Sequence, residues 1–303
     1  MYDIIIVGAG PAGMTAALYA LRADKTVLLI EKETFGGQIT FSPKVENYPG
    51  FMQISGNELA EHLLEQVTEH GADIELCEVI GIKDYGSYKT VNTDIGDYEG
   101  KTVIIATGAK HRHLGVEGEE ELIGEGISFC AVCDGAFFAG KKVGVVGGGN
   151  SALVEAMMLS ETSSEVVIIQ NLSTLTGEAK MVKALEQKPN VKMIFDTVVE
   201  GFEAIGKALS GVKLHNTKTN EHTSLPIDGL FVAIGHAPEN EAFKNVTTLN
   251  EWGYIVADEA CLTGTEGIFV AGDCRTKSIR QVTTATADGA VAALAACRYI
   301  DNL

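Results

Sequence analysis

Nowhere in the 303 residues does an uninterrupted apolar run approach the ~18–20 that a membrane-spanning helix needs, so no membrane partner is expected. Basic residues are scarce: 23 Lys and Arg stand against 41 Asp and Glu, a formal charge of −18. Nucleic acid and anionic lipid surfaces both attract basic patches, so neither is an expected partner. Cysteine is sparse too. Of Cys77, Cys130, Cys133, Cys261, Cys274 and Cys297, only Cys130 and Cys133 are close in sequence. That pattern suits a reducing compartment and one special pair, not a disulfide framework. No basic n-region precedes the apolar start MYDIIIVGAG, which runs straight into a glycine loop and reads as a strand, not a signal peptide. Low-complexity tracts and Pro/Gly/Ser-rich linkers are missing as well. What remains is the composition of a soluble globular protein, 46% apolar and 21% charged. The chain is long enough for two domains, because single cores stop growing near ~250–300 residues.

The chain nearly repeats itself. DIIIVGAGPAGMTAALYAL from Asp3 and KVGVVGGGNSALVEAMML from Lys142 share one plan: an apolar run, a glycine turn, then a helix-like stretch. Later strands echo each other too, VIIATG ending at Gly108 and LFVAIG ending at Gly235. Residues 26–31 and 166–169 read as the second strand of each copy, and residues 58–70 as an amphipathic helix. The expected fold is α/β: two Rossmann-like three-layer dinucleotide-binding domains, the second inserted in the first. The boundaries expected are 1–112 and 242–303 for the first domain and 113–241 for the insertion. The tail carries no glycine fingerprint of its own, but GIFVAGDCR (267–275) reads as a buried strand returning to the first domain.

In the first copy, Gly8, Gly10, Pro11, Ala12 and Gly13 form a G-x-G-x-x-G loop between strand and helix. The glycines permit a tight turn and let backbone N–H groups approach a pyrophosphate at the helix N-terminus. Glu31, at the end of the next strand, is placed to accept from ribose hydroxyls. The loop alone does not separate FAD from NAD. The tail does: Asp273, after an apolar strand and Ala-Gly, suits the ribityl hydroxyls of an extended flavin. The helix opened by RQVTTATADG from Arg280 can aim N–H groups at the flavin's pyrimidine edge.

Cys130-Ala131-Val132-Cys133 can close a small disulfide and pass two electrons by thiolate exchange. A zinc half-site and an inert buried pair are the alternatives. Structural zinc normally takes four ligands, the other cysteines are isolated, and no His-x₃-His lies nearby. Asp134 is either a general acid or base for a thiol or a cap for the following turn.

Together these segments resemble the low-molecular-weight thioredoxin reductases over nearly the whole chain. The matching features are GAGPAG (8–13), GGQI (36–39), VENYPGF (45–51), ATG (106–108), CAVCDG (130–135), GGGNSA (147–152), GIFVAGD (267–273) and RQ (280–281). The resemblance implies that the FAD site includes Lys32, Gly36, Gly37, Gln38, Asn47 and Val79. It also implies Ala106, Thr107, Gly108, Gly272, Asp273, Arg280, Gln281 and Val282. It implies that reduced flavin passes two electrons to the Cys130–Cys133 disulfide, with Cys133 facing the flavin. Cys130 would attack the disulfide of thioredoxin, with Asp134 as the acid/base group. It further implies a cytoplasmic homodimer whose domains rotate about hinges at 108–113 and 235–240. The cysteine pair sits just before the second glycine loop, which separates this chain from glutathione-reductase-like enzymes and their C-terminal interface domain. Ferredoxin–NADP reductases of related fold lack the pair.

The family's NADPH motif, His-Arg-Arg-x-x-x-Arg, falls on Gln170, Asn171, Leu172 and Thr176, so all three arginines are missing. Arginine forks suit a 2′-phosphate, and the spacing of Lys180 and Lys183 does not match theirs. Gly147, Gly149, Asn150, Ser151 and Ala152 nevertheless keep the pyrophosphate loop. Gln170 or Asn171 can bond a 2′-hydroxyl, which favours NADH over NADPH. A ferredoxin donor is the alternative, against which the retained loop and the chain's acidity both argue. A dithiol oxidase, passing electrons to oxygen from small dithiols, is a second. No metal is expected. The remaining cysteines read as packing residues. His111 and His113 read as solvated hinge histidines, Trp252 as packed in a turn, and EGEEEL (117–122) as a solvated acidic loop.

Overall fold

The computed structural model describes residues 1–42 and 44–303. Along the chain come β1 (Tyr2–Val7), α1 (Pro11–Arg22), β2 (Val27–Glu31), α2 (Gly56–Glu69) and β3 (Asp73–Leu76). Next are β4 (Val79–Asp84), β5 (Lys89–Thr93), β6 (Asp97–Ile105) and the short β7 (Lys110–His111). Then follow α3 (Glu119–Leu122), β8 (Ile127–Ser128), α4 (Ala131–Asp134), β9 (Lys142–Val146), α5 (Asn150–Ser160), β10 (Glu165–Ile169), α6 (Ala179–Glu186) and β11 (Val191–Ile194). An antiparallel set, β12 (Thr197–Ile205), β13 (Ala208–Asn216) and β14 (His222–Pro226), precedes β15 (Gly229–Val232). The chain ends with β16 (His236–Ala237), β17 (Ile268–Val270) and α7 (Val282–Asp301). It forms two compact units, Met1–Lys110 with Ala237–Leu303, and His111–His236. The short strands β7 and β16 pair as a two-stranded ribbon.

In the first unit seven strands form one sheet in the order β3-β2-β1-β6-β5-β4, with β17 also on β6. The strands β3, β2, β1, β6 and β17 run parallel, and β4–β6 form an antiparallel meander. IIIV, VLLI and IFV are continuous apolar runs because a parallel sheet is covered on both faces. The period of two divides each run. Ile4 and Ile6 join Met14, Ala16 and Ala20 of α1 and Ala292 and Ala296 of α7 in one core. Ile5 and Val7 join Ile82, Val91, Phe243 and Ile255 in the other. The segment at 237–241 belongs to this unit because the buried Asn240 ties it down. Its amide donates to Gly253 O and Cys274 O, each at 2.9 Å, and its Oδ1 accepts from Thr107 at 3.1 Å.

The second unit is built on a five-stranded parallel sheet, β11-β10-β9-β15-β8, with the three-stranded β12-β13-β14 sheet beside it in sequence. Val145 and Ile168 pack with Ala152, Leu153 and Ala156 of α5 on one face. Val146, Val167 and Ile169 meet Val199, Val212 and Leu214 on the other.

Two sequence expectations fail here. Residues 117–122 are not simply a solvated loop: 119–122 make a turn of helix, and Glu119 is only 2% exposed. Its carboxylate accepts from Leu114 N and Gly115 N, both at 2.9 Å, so the acid closes the turn before it. Trp252 does lie in a turn, but the turn is held by Asn250 Oδ1, which accepts from Trp252 N and Tyr254 N, and the indole is 66% exposed.

Candidate functional site

The residues singled out in the sequence gather at three places. In the first unit the chain turns from β1 into α1 at Gly8, whose φ is +104°. A Cβ there would lie 2.4 Å from Ala106 O, so only glycine fits. Helix α1 opens with Gly10 as N-cap and Pro11 in its first turn, without a side chain bonding its end. Its N–H groups are therefore left for a ligand. A Cβ on Gly10 would meet only Gly36 O, at 3.9 Å, so the loop is open on that side. Gly36 and Gly37 turn with φ of +105° and +57°, and Gly36 N donates to Ala9 O at 2.8 Å. Glu31 is pinned: Oε2 accepts from Ala9 N at 2.8 Å, and Oε1 from Lys32 N and Glu33 N at 2.9 Å. Lys32 is bound to Glu239 at 2.5 Å. Gln38 is exposed and Val79 half-buried.

The tail supplies the other wall. Asn47 Nδ2 donates to Gln281 Oε1 at 3.0 Å, just before Val282 opens α7. Arg280 lies over the Tyr254 ring at 4.2 Å and donates to Asp273 O at 3.4 Å. Ala106, Thr107 and Gly108 leave β6, and Thr107 is fixed by Asn240. Asp273 Oδ1 is buried with no hydrogen-bond partner, and burial pushes the carboxyl up to about 6. The loop that presents it is anchored by Asp288 of α7, which sequence reading missed. Asp288 Oδ2 accepts from Gly272 N at 3.0 Å, Arg275 Nε at 2.8 Å and Lys277 Nζ at 2.9 Å. The signal was a lone acid in an alanine-rich helical stretch. Cys274 is fully buried, and burial pushes its thiol up to about 11, so it reads as packing.

The second site is the cysteine pair, closed as a disulfide with Cα atoms 5.3 Å apart. Cys130 caps the short α4, its sulfur accepting from Cys133 N at 3.2 Å. Asp134 does not cap the turn that follows. Its Oδ2 instead accepts from Ser128 Oγ at 2.6 Å, while Ser128 Oγ accepts from Cys130 N at 3.1 Å. Burial raises the Asp134 carboxyl, with the Ser128 bond opposing, and Oδ1 is buried and unpartnered. Ser128 was not singled out in the sequence, since a serine two residues before a cysteine has no pattern of its own. On α5, which packs against α4, Glu155 is half-buried with its Oε2 buried and unpartnered, and burial pushes its carboxyl up to about 8.

The third site is the second glycine loop. Gly147 has φ +130°, and a Cβ would come 2.5 Å from Ala233 O, mirroring Gly8. Gly149 is the N-cap of α5, Asn150 Oδ1 accepts from Glu178 N at 2.7 Å, Ser151 is exposed and Ala152 buried. The segment 170–178 folds back on this loop: Thr176 N and Gly177 N donate to Gly148 O at 2.7 and 3.0 Å. Gln170 is turned inward, 4% exposed, with Nε2 donating to Thr174 O at 3.1 Å and its amide against Gly148. It does not point to solvent as a ribose reader would, whereas Asn171 does. A carboxylate from the turn between β11 and β12 lies beside this segment. Asp196 N donates to Leu172 O, and its Oδ1 accepts from Ser173 Oγ at 2.7 Å and pairs with Lys218 at 3.2 Å.

His111 and His113, both in the second unit, differ. His111 stacks on Phe129 (4.9 Å between centroids) and lies 4.3 Å from His236. Burial, then the neighbouring histidines, push it down to about 3, so it is no solvated histidine. His113 is exposed and sits 3.0 Å from Glu120.

The chain is similar to known proteins. A family model described as pyridine nucleotide-disulphide oxidoreductase matches residues 2–289. The thioredoxin reductases of Listeria monocytogenes serovar 1/2a and Bacillus subtilis strain 168 are each 42% identical to the chain. Both alignments cover 100% of this chain, with 95% and 96% of the respective relative. The crystal structure of thioredoxin reductase from Streptococcus pyogenes MGAS5005 superposes with a TM-score of 0.96 at 40% identity, covering 100% of this chain and 99% of that one.

Proposed function

The chain belongs to the pyridine nucleotide-disulphide oxidoreductase family, in its thioredoxin reductase branch, as an FAD-dependent disulfide oxidoreductase, and from that premise we propose how its residues divide the work. The observation that carries the reading is the closed Cys130–Cys133 disulfide, with a half-buried carboxyl, Asp134, held beside it.

The first unit fits FAD. Its glycine loop is open at Gly10, α1 leaves its N-terminal N–H groups uncapped by side chains, and Asp273 holds an unpartnered buried oxygen. Gly8, Gly10, Pro11, Ala12 and Gly13 would hold the pyrophosphate, Glu31 a ribose, and Asp273 the ribityl chain, with the start of α7 at the ring. The bound flavin supplies two-electron chemistry that no amino-acid side chain offers.

Once the pair is a dithiol, Cys130 as thiolate attacks one sulfur of the thioredoxin disulfide. The disulfide bond of thioredoxin breaks, and a mixed disulfide with Cys130 forms. The displaced thioredoxin thiolate takes a proton. Cys133 then attacks Cys130, restoring the Cys130–Cys133 bond and releasing the second thioredoxin thiol. Asp134 carries the proton between these sulfurs. A Cys130→Ser variant retains yellow, reducible flavin and reduces no thioredoxin; full turnover in that variant would refute the assignment.

The electron donor is a nicotinamide nucleotide, and NADH suits the site better than NADPH. A carboxylate at the strand ends favours a free 2′-hydroxyl. A 2′-phosphate would meet Asp196, with the nearby Lys218 already paired to it. Anaerobic mixing tests this: NADH should bleach the flavin band faster than NADPH. Bleaching by reduced ferredoxin alone would favour the ferredoxin reading, and dithiol-driven peroxide formation the oxidase reading. Among the described residues no helix is long and apolar enough to cross a membrane. A cytoplasmic homodimer is the state proposed, which sedimentation would test.

A further inference from the structure

Ser128 closes β8, 5% exposed, and its hydroxyl is bonded on both sides. The Cys130 N–H, at 3.1 Å, can only donate, so Ser128 Oγ accepts there. Among the described residues the only acceptor within reach of its single hydrogen is Asp134 Oδ2, at 2.6 Å. The direction of both bonds is therefore set by the main chain. Oδ2 is an acceptor, and a proton on Asp134 belongs on Oδ1, the buried oxygen with no protein partner.

We propose that Ser128 is a positioning residue for thiol–disulfide exchange: it confines the transferable proton of Asp134 to Oδ1 and ties that carboxyl to the backbone of Cys130. The inference rests on the assignment of Asp134 as the acid/base group. One oxygen is thereby spent on orientation and the other kept for proton exchange with a reacting sulfur. Because the same hydroxyl holds Cys130 N, the acid and the attacking cysteine keep their relative position through each cycle. With the pair closed as a disulfide, no charged neighbour among the described residues perturbs the carboxyl: burial raises it and the Ser128 bond lowers it, and in the dithiol form the Cys130 and Cys133 sulfurs are the titratable groups on its own element. Of the elements packed against α4, the turn at 135–138 has no titratable side chain and α5 offers Glu155.

The holoenzyme's pH–rate profile for thioredoxin reduction is the first test. Asp134→Asn identifies the limb that belongs to Asp134 by abolishing it. In Ser128→Ala that limb moves up by roughly one pH unit, the size of one lost hydrogen bond to a carboxylate. Ser128→Thr, which keeps the hydroxyl, restores it. A limb that stays put in Ser128→Ala overturns the proposal, as does a limb that Asp134→Asn leaves intact. The second test needs no turnover and no Ser128 variant: the infrared carbonyl band of protonated Asp134 in the wild-type holoenzyme, found by difference from Asp134→Asn. Its C=O should absorb as a hydrogen-bonded acceptor, and an unbonded frequency overturns the proposal. Absence of thioredoxin reduction by the wild type would instead sink the functional reading, with the infrared result still reporting on Ser128.

Discussion

Asp273 shows how a single residue can be left unfinished by its own protein. Its Oδ1 has no partner, and burial lifts the carboxyl to about 6. That folded value lies above the ~3.9 of an unfolded aspartate. In the flavin-free protein, its contribution to stability is thus fully present below about pH 4 and is lost as pH rises through 6. The loss is on the order of 3 kcal/mol. Hydroxyls donated by a bound flavin favour the ionised form and remove most of this dependence. The unfolding midpoint of flavin-stripped protein should therefore fall between pH 4 and 6, and Asp273→Asn should flatten that fall. An equal slope in both proteins would show that the unpartnered oxygen carries no such burden.

At the scale of elements, the strand–glycine–helix turn is the working part, and it occurs twice. Gly147→Ala places a methyl 2.5 Å from Ala233 O at φ +130°. It should cost roughly 2–4 kcal/mol of local strain and clash. Stopped-flow mixing should show flavin reduction by NADH lost, with flavin content unchanged. These turns were legible in the sequence because everything they need is local: an apolar run, glycines at fixed offsets, then small residues. The returning strand 268–270 was legible for the same reason. What surrounds them was not. Asp288 reaches Gly272 across 16 positions, Asp196 meets Ser173 across 23, and Asn240 meets Thr107 across 133. None of these pairs leaves a periodic trace. Gln170 illustrates the opposite error: its position after β10 was read correctly, but its rotamer, folded onto Gly148, is a tertiary outcome.

For the whole molecule, the division into two units has a thermodynamic consequence. Each unit has its own buried sheet, and each would bind a different nucleotide. A ligand stabilises what it binds by mass action. Calorimetry should therefore resolve two transitions in flavin-stripped protein. Restoring FAD should raise one, and NADH the other. A single transition moving as one with either ligand would mean that the two units unfold together. The −18 charge is legible without any structure, but it speaks to solubility and encounter, not to this division.

The four cysteines outside the redox pair are buried, none more than 5% exposed, and burial raises each thiol. Thiolates, not thiols, react with alkylating and disulfide reagents. The native protein therefore carries its own ledger of redox state. Labelled without denaturation, the oxidised form should take up no reagent and the reduced form two equivalents. Mass spectrometry of a quenched sample could then read how many molecules in a population are mid-cycle, with no chromophore, substrate or engineered probe.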